Sequence, residues 1–195
     1  EPQGEYFQSL EKIAKTYVGF GFYYINNDEV KKSLGEHKII FFNNGEDPMY
    51  FDEEDPKNFE EWFKPNRYPL YYDFSEQEPF MRMYDEKKPL FFYFLEEGSD
   101  QQQAIGSFKR VVKGFRNDFI YLVGDLADDE IKEQLGDIFG ISNGPRLAIA
   151  SLEDPENEES DMIKYLSPEG PQTEEGIKIF IEDFKNGKLE PYLKS

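Results

Sequence analysis

The chain has 195 residues, of which 17% are aromatic and 32% are charged, and its 41 acidic and 22 basic side chains give a net charge of −19. This length suits one large domain or two small domains of about 100 residues each. The negative charge disfavours binding to nucleic acid or to an anionic membrane surface. It favours a weak, diffuse attraction for Ca²⁺ or for cationic polypeptides, although solubility alone explains it equally well.

Several kinds of catalytic or metal site are disfavoured by the residues that are present. The chain contains no cysteine, which excludes thiolate catalysis, disulfides and Cys-ligated zinc. The single histidine, His37, has no triad or metal cluster around it in the sequence. The acidic runs at residues 52–55 and 153–161 lack the spacing of a rigid calcium loop. We therefore predict no catalytic residue, no bound metal and no cofactor.

The first 66 residues predict the order helix, strand, helix, strand, strand, helix. The first helix follows from apolar residues at helical spacing, and the aromatic run at residues 19–25 is typical of a strand. Asn27 or Asp28 caps a short helix that ends at Gly35. The run at residues 38–42 predicts a strand, and Asn44-Gly45 turns it into a partner strand at residues 49–51. A helix then begins near Pro56 and ends at Pro65.

From residue 67 onward, strands and helices alternate. Strands are predicted at residues 70–74, 89–95, 119–123, 146–150 and 162–166. The run at residues 89–95 is apolar on both faces, which is typical of a central strand. Helices are predicted at residues 78–85, from a cap at Ser99 to residue 115, at 128–139, and at 177–184 behind a cap at Thr173.

The first part repeats the last six elements of the second, which indicates an internal repeat at the level of the fold. Strand–helix–strand crossovers require parallel pairing, and the final strand–strand–helix predicts an antiparallel edge. We therefore predict an α/β protein with two thioredoxin-like domains in tandem, each with a mixed sheet flanked by helices. Residues 1–66 form a partial domain that lacks its opening strand–helix–strand, 67–190 form a complete domain, and 191–195 begin a linker.

Two sequence motifs resemble a known family. The closing run FIEDFKNGKLEPYLKS at residues 180–195 is similar to the junction that follows the second non-catalytic domain of protein disulfide isomerases. The run PLYYDFSEQ at residues 69–77, followed by LFFYF at 90–94, resembles the opening of that domain. The first 66 residues match more loosely. The resemblance implies location in the lumen of the endoplasmic reticulum, unfolded or partly folded polypeptides as clients, and flanking catalytic domains with paired cysteines.

The resemblance also implies what this segment lacks and what it keeps. The helix that carries the cysteine pair in catalytic domains begins here at residues 99–102, without sulfur, so the segment itself is expected to exchange no disulfides. Pro145 stands where thioredoxin folds place a cis proline before a central strand, so we expect the Gly144–Pro145 peptide bond to be cis.

The family's second non-catalytic domain binds unfolded peptide on an apolar patch between its first short helix and the helix before the cis proline. Carried over by position, that patch consists of Phe80, Met81, Met83, Tyr84, Leu135, Ile138 and Phe139. Flexible thioethers suit promiscuous binding, and we expect Met81, Met83 and Tyr84 to be exposed. Leu135 and Ile138 fit the core equally well. An acidic rim is expected at Glu76, Glu78, Asp85 and Glu86, which would favour cationic clients.

Two functions follow from these observations. The preferred one is a non-catalytic, peptide-binding segment of a protein disulfide isomerase, which supports the flanking catalytic domains as a chaperone-like module. The alternative is an acidic thioredoxin-repeat protein that resembles calsequestrin and binds calcium, which the lack of cysteine and the strong acidity also favour. Flanking sequence with Cys-x-x-Cys motifs would decide for the isomerase.

Overall fold

The computed structural model describes residues 4–25, 27–35, 37–43, 46–96, 100–141, 143–157, 160–170 and 172–192. The chain divides into two compact units, Glu1–Pro69 and Leu70–Ser195. The division lies three residues beyond the boundary that the sequence predicts between residues 66 and 67. The predicted Asn44-Gly45 turn and the Ser99 cap lie outside the described residues.

In the residues that the structure describes, the first unit combines three α-helices with an antiparallel pair of strands. Its elements are α1 (Glu5–Thr16), α2 (Asp28–Leu34), β1 (Ile39–Phe41), β2 (Met49–Phe51), a 3-10 turn at Pro56–Asn58, and α3 (Phe59–Asn66). Asn27 caps α2, because its side chain accepts the backbone N–H groups of Glu29 and Val30. The core of this unit is built on the buried side chains of Ile13, Phe51, Phe59 and Phe63.

The strand that the sequence predicts at residues 19–25 does not form in the structure. Two of its aromatic side chains, Phe20 and Phe22, pack instead against Phe63, with ring centroids 5.4 and 6.0 Å apart. Tyr23 is 85% exposed. High β propensity produces a strand only where a partner backbone accepts its hydrogen bonds, and the described residues of this unit supply no such partner for the segment. A second, smaller difference is that α3 continues past Pro65 to Asn66.

Among its described residues, the second unit contains a five-stranded mixed sheet and four α-helices. In chain order these are β3 (Tyr72–Asp73), α4 (Glu78–Glu86), β4 (Leu90–Leu95), α5 (Gln101–Val112), β5 (Ile120–Asp125), α6 (Asp129–Phe139), β6 (Arg146–Leu152), β7 (Met162–Leu166) and α7 (Glu174–Lys185). The strand order is β3-β5-β4-β6-β7. The first three of these strands are parallel, and β6 and β7 run antiparallel to their neighbours. The predicted thioredoxin-like layout is therefore confirmed for this unit.

The central strand β4 supplies side chains to the cores on both faces of the sheet. Leu90, Phe92 and Phe94 face the core beneath α4 and α6. Phe91, Tyr93 and Leu95 face the core beneath α5 and α7. All six side chains are buried, as the uninterrupted apolar run predicts.

At the ends of these elements, the cis bond before Pro145 and the cap at Thr173 are as predicted, whereas the cap that the structure gives to α5 is Asp100, which the sequence analysis did not name. The Gly144–Pro145 peptide bond is cis. Thr173 caps α7 through its side chain, which accepts the N–H of Gly176 at 3.1 Å. Asp100 caps α5 by accepting the N–H of Gln103. Within the described part of the chain, no helix is both long enough and apolar enough to cross a membrane.

Candidate functional site

An apolar pocket of about 580 Å³ lies on the face of the second unit's sheet that α4 and α6 cover. This volume is in the range of pockets that hold a small ligand or a bulky side chain. Its lining is mostly aromatic and aliphatic, with two charged residues: Phe74, Phe80, Leu90, Phe92, Ile138, Phe139, Asp161, Met162 and Lys164.

The strands and helices bring the pocket's aromatic rings together. Side chains alternate along β4, so Leu90 and Phe92 point to the same face of the sheet. The ring of Phe139, at the end of α6, lies 5.1 Å from that of Phe92. Phe80, on α4, lies 6.2 Å from the ring of Phe74 in an edge-to-face arrangement. These edge-to-face contacts between neighbouring rings hold the wall in place without a polar group.

The residues proposed from the family resemblance fall into three groups. Phe80, Ile138 and Phe139 line the pocket. Leu135 and Met83 are buried in the core beneath it. Met81 and Tyr84 lie on the solvent side of α4, with 61% and 47% of their surface exposed.

The expectation that Met83 would be exposed is wrong, because only 1% of its surface is accessible. Pro79 and Met83 are four residues apart and therefore share the face of α4 that packs on the sheet. Phe80 and Tyr84 are also four residues apart, so they share a face of α4. Met81 is three residues before Tyr84 and is therefore its neighbour on the helix surface. Tyr84 therefore lies one helical turn beyond the pocket residue Phe80.

Sequence reasoning missed the wall that β7 and the preceding loop provide. Met162 and Lys164 alternate on one face of β7, and both line the pocket. The register places Lys164 opposite Ala150 on β6, and Ala150 opposite Leu90 on β4. The sequence predicts the strand at residues 162–166, and alternation along it places Met162 and Lys164 on one face. Only the pairing register shows that this face belongs to the same side of the sheet as α4 and α6.

Pro145 and the pocket lie at opposite ends of β6. Arg146, which follows the cis proline, pairs with Phe94 at the end of β4, whereas the pocket residue Leu90 pairs with Ala150. Pro145 is not among the pocket's described lining residues. Pro145 is therefore a structural feature separate from the apolar pocket.

Lys164 is held at one side of the pocket by the end of α6. Its Nζ donates a hydrogen bond of 2.8 Å to the carbonyl oxygen of Ile138 and lies 5.8 Å from the ring centroid of Phe139. A cation is favoured there, because the last carbonyl groups of a helix carry partial negative charge.

Arg82 holds α4 to the first strand of the sheet. Its guanidinium donates hydrogen bonds to the hydroxyl of Tyr72 at 2.9 Å and to the carboxylate of Glu86 at 2.8 Å. Partial burial would raise the pKa of Glu86, but the hydrogen bonds from Arg82 and Lys88 outweigh it and hold that pKa below its ordinary value. Glu86 is thus an ion-paired residue rather than a free charge on the predicted acidic rim.

The described parts of the chain contain no group of three or more histidine, aspartate or glutamate side chains placed to hold a metal ion. The pocket lining offers apolar surface with one carboxylate and one amine. Such a surface is suited to binding an apolar group through burial.

Comparison with known proteins assigns the family. The sequence profile described as "Thioredoxin-like domain" matches residues 1–183. The chain belongs to this family. A solved structure of the bb fragment of ERp72 has the same fold, with a TM-score of 0.56 and 18% identity, over 95% of this chain and 84% of that one.

The curated relatives of this thioredoxin-like chain include protein disulfide isomerases. It is 32% identical to protein disulfide isomerase-like 1-4 of Arabidopsis thaliana over 50% of this chain and 15% of that protein. It is 29% identical to the protein disulfide-isomerase of Oryctolagus cuniculus over 69% of this chain and 26% of that protein. The Drosophila melanogaster enzyme is 23% identical over 99% of this chain and 39% of its own length. The chain therefore spans well under half the length of these relatives.

Proposed function

We propose that the chain is a non-catalytic segment of a protein disulfide isomerase, and that it binds unfolded or partly folded polypeptides. The observation that carries the proposal is the apolar pocket beside α4 and α6, together with the exposed Met81 and Tyr84 on the same helix as the pocket residue Phe80. Apolar burial contributes roughly 25 cal/mol per Å² without demanding one partner shape. A client side chain that enters this pocket would be stabilised by that burial.

The segment's part in the reaction would be to hold clients for catalytic domains elsewhere in the protein. Disulfide exchange proceeds by thiolate attack, and this chain has no cysteine. The thiolates would come from flanking thioredoxin domains of the kind that the resemblance implies, working in the lumen of the endoplasmic reticulum. We expect the isolated chain to show no insulin reduction above that of an unrelated acidic protein, and turnover by the chain would contradict this assignment.

The calsequestrin-like alternative shares the thioredoxin repeats and the acidity. The relatives found by comparison are isomerases, which favours the peptide-binding interpretation. A weak, diffuse attraction for Ca²⁺ is compatible with both functions, because it depends on net charge rather than on a built site.

Binding can be tested with a double variant on the pocket side of the sheet and a single variant on its opposite face. Tyr84 lies on α4 beside the pocket, and Ile179 lies on α7, and each is 47% exposed. Fluorescence anisotropy with a labelled amphipathic peptide should give dissociation constants on the order of micromolar or weaker. Replacing Tyr84 and Met81 together with serine should raise the dissociation constant at least about threefold.

The control is Ile179→Ser, which should leave the dissociation constant unchanged. Urea unfolding of each variant should show similar stability, since all three side chains are exposed. Equal binding by the double variant and the wild type would overturn the assignment of this face. If the dissociation constant rises equally in the double variant and in Ile179→Ser, the peptide binds the chain non-specifically.

A further inference from the structure

Two charged residues of opposite sign line the otherwise apolar pocket, and they differ in how they are engaged. Lys164 Nζ is bound to the carbonyl oxygen of Ile138 at 2.8 Å and lies over the ring of Phe139. Its charge is offset locally by the carbonyl end of α6. Lys164 therefore presents its aliphatic stem to the pocket while its ammonium group is occupied.

Asp161 is held in place by hydrogen bonds to its backbone. Its backbone carbonyl accepts the N–H of Glu153 at 2.9 Å and the hydroxyl of Ser160 at 3.3 Å, which fixes the residue at the start of β7. Its side chain is exposed to solvent and lines the pocket. Among the residues that the structure describes, none forms a hydrogen bond or ion pair with its carboxylate. The pocket thus has one anchored carboxylate with unused acceptor capacity.

The loop before β7 strengthens the negative potential around Asp161. Glu153, Asp154 and Glu156 are all exposed in this loop. Glu156 forms an ion pair with Lys87, which follows α4, so one positive charge near the loop is already partnered. The whole chain carries a net charge of −19. A client would approach this rim through a field that attracts cations.

We infer that Asp161 determines specificity in the pocket, by pairing with a basic residue that lies next to the bulky apolar residue of the client. The inference rests on the proposed function and deepens it by naming the class of segment that is bound. The apolar residue fills the space between Phe80 and Phe139, and the neighbouring Arg or Lys reaches the carboxylate at the rim. This acidic group precedes β7 and is separate from the acidic rim that the sequence predicts around α4.

The test uses two peptides that differ only in one residue beside an aromatic anchor, which is arginine in one peptide and the neutral isostere citrulline in the other. Dissociation constants are measured by fluorescence anisotropy for the wild-type chain, for Asp161→Asn and for Glu153→Gln. The last is a matched control, because it removes the same charge from the same loop without altering the pocket lining.

The wild-type chain should bind the arginine peptide about threefold more tightly at low ionic strength, as an exposed ion pair allows. Asp161→Asn should reduce this ratio to about one, and Glu153→Gln should leave most of it. Added salt should also reduce the wild-type ratio, because it screens exposed charges.

The remaining outcomes separate the two proposals. If both peptides bind the wild-type chain equally well, the role of Asp161 is overturned while peptide binding stands. If Glu153→Gln lowers the ratio as much as Asp161→Asn does, the preference comes from the diffuse field, and the role of Asp161 is again overturned. If neither peptide binds, both proposals fail.

Discussion

At the scale of single residues, Phe139 and Met81 differ although the family resemblance places both in the client-binding patch. Phe139 is 1% exposed and packs against Phe92 and Phe94 as well as lining the pocket. Met81 is 61% exposed. From sequence alone, polar replacement of either would be expected to affect binding and leave stability intact. The structure restricts that expectation to Met81.

We expect Phe139→Ser to lower the free energy of unfolding by about 3–5 kcal/mol, because it removes a buried ring and leaves a cavity. Met81→Ser should change it by no more than about 0.5 kcal/mol. Urea unfolding followed by circular dichroism measures both values. A similar stability for the two variants would mean that Phe139 is not part of the core.

Asp52 is a residue whose protonation should affect the first unit. It accepts a hydrogen bond from His37 Nδ1 at 2.6 Å and another from the backbone N–H of Lys38 at 3.0 Å. These two hydrogen bonds hold the pKa of Asp52 below its ordinary value, and the bond from His37 has the larger effect. The native state therefore binds this proton less tightly than the unfolded chain does.

A depressed native pKa stabilises the fold above the unfolded pKa of about 4, and this contribution is lost as the pH falls through the native value. We expect the stability difference between wild type and Asp52→Asn to shrink as the pH falls below about 4. The effect should be small and sensitive to salt, because the pair is exposed. A difference that stayed constant down to about pH 2 would contradict this account.

At the scale of elements, the side chain of Arg82 connects α4 to β3. Arg82 is bonded both to Glu86 on its own helix and to the Tyr72 hydroxyl on the strand. Only 11% of the Arg82 side chain is exposed. The orientation of α4, and with it the positions of Phe80 and Tyr84, follows from this contact together with burial of Met83.

Removing the Arg82 guanidinium should therefore lower the free energy of unfolding by more than the loss of a surface ion pair would. We expect Arg82→Met to lower the free energy of unfolding by about 1–3 kcal/mol, since Glu86 and the Tyr72 hydroxyl lose a partner while partly buried. Arg82→Lys should retain part of that stability, because it keeps the charge but not the planar fork of donors. A loss below about 0.5 kcal/mol for Arg82→Met would indicate that the contact is not needed.

At the scale of the whole molecule, the two units differ in how much core they enclose. The second unit has buried apolar clusters on both faces of a five-stranded sheet. The first unit has a two-stranded sheet and one cluster built on four fully buried side chains. Small domains bury a smaller fraction of their surface and are correspondingly less stable.

We expect a fragment of residues 70–195 to fold by itself and to unfold in one cooperative urea transition. A fragment of residues 1–69 should show a much weaker transition or none. Circular dichroism and denaturant titration of both fragments test this expectation. A non-cooperative transition in the larger fragment would show that its clusters require the rest of the chain.

Most of the element order was predictable from the sequence, because helices and strands with one or two buried faces leave a periodic pattern of apolar residues. The run at residues 89–95 predicted the central strand, and Thr173 predicted the start of α7. The same local logic failed at residues 19–25. There, aromatic β propensity competed with packing on Phe63, and packing prevailed in the absence of a described partner strand.

The sequence by itself determined the thioredoxin-like layout of the second unit and the lack of cysteine, and its resemblance to a known family predicted the cis bond before Pro145. Only the tertiary structure decided which side of α4 is buried, and so that Met83 belongs to the core while Met81 does not. It also decided that Asp161 and Lys164 share a pocket with Phe80. The physical reason is that periodicity records which face of an element is buried. Contacts between residues some eighty positions apart depend instead on how strands and helices pair and pack with one another, which the periodicity within a single element does not give.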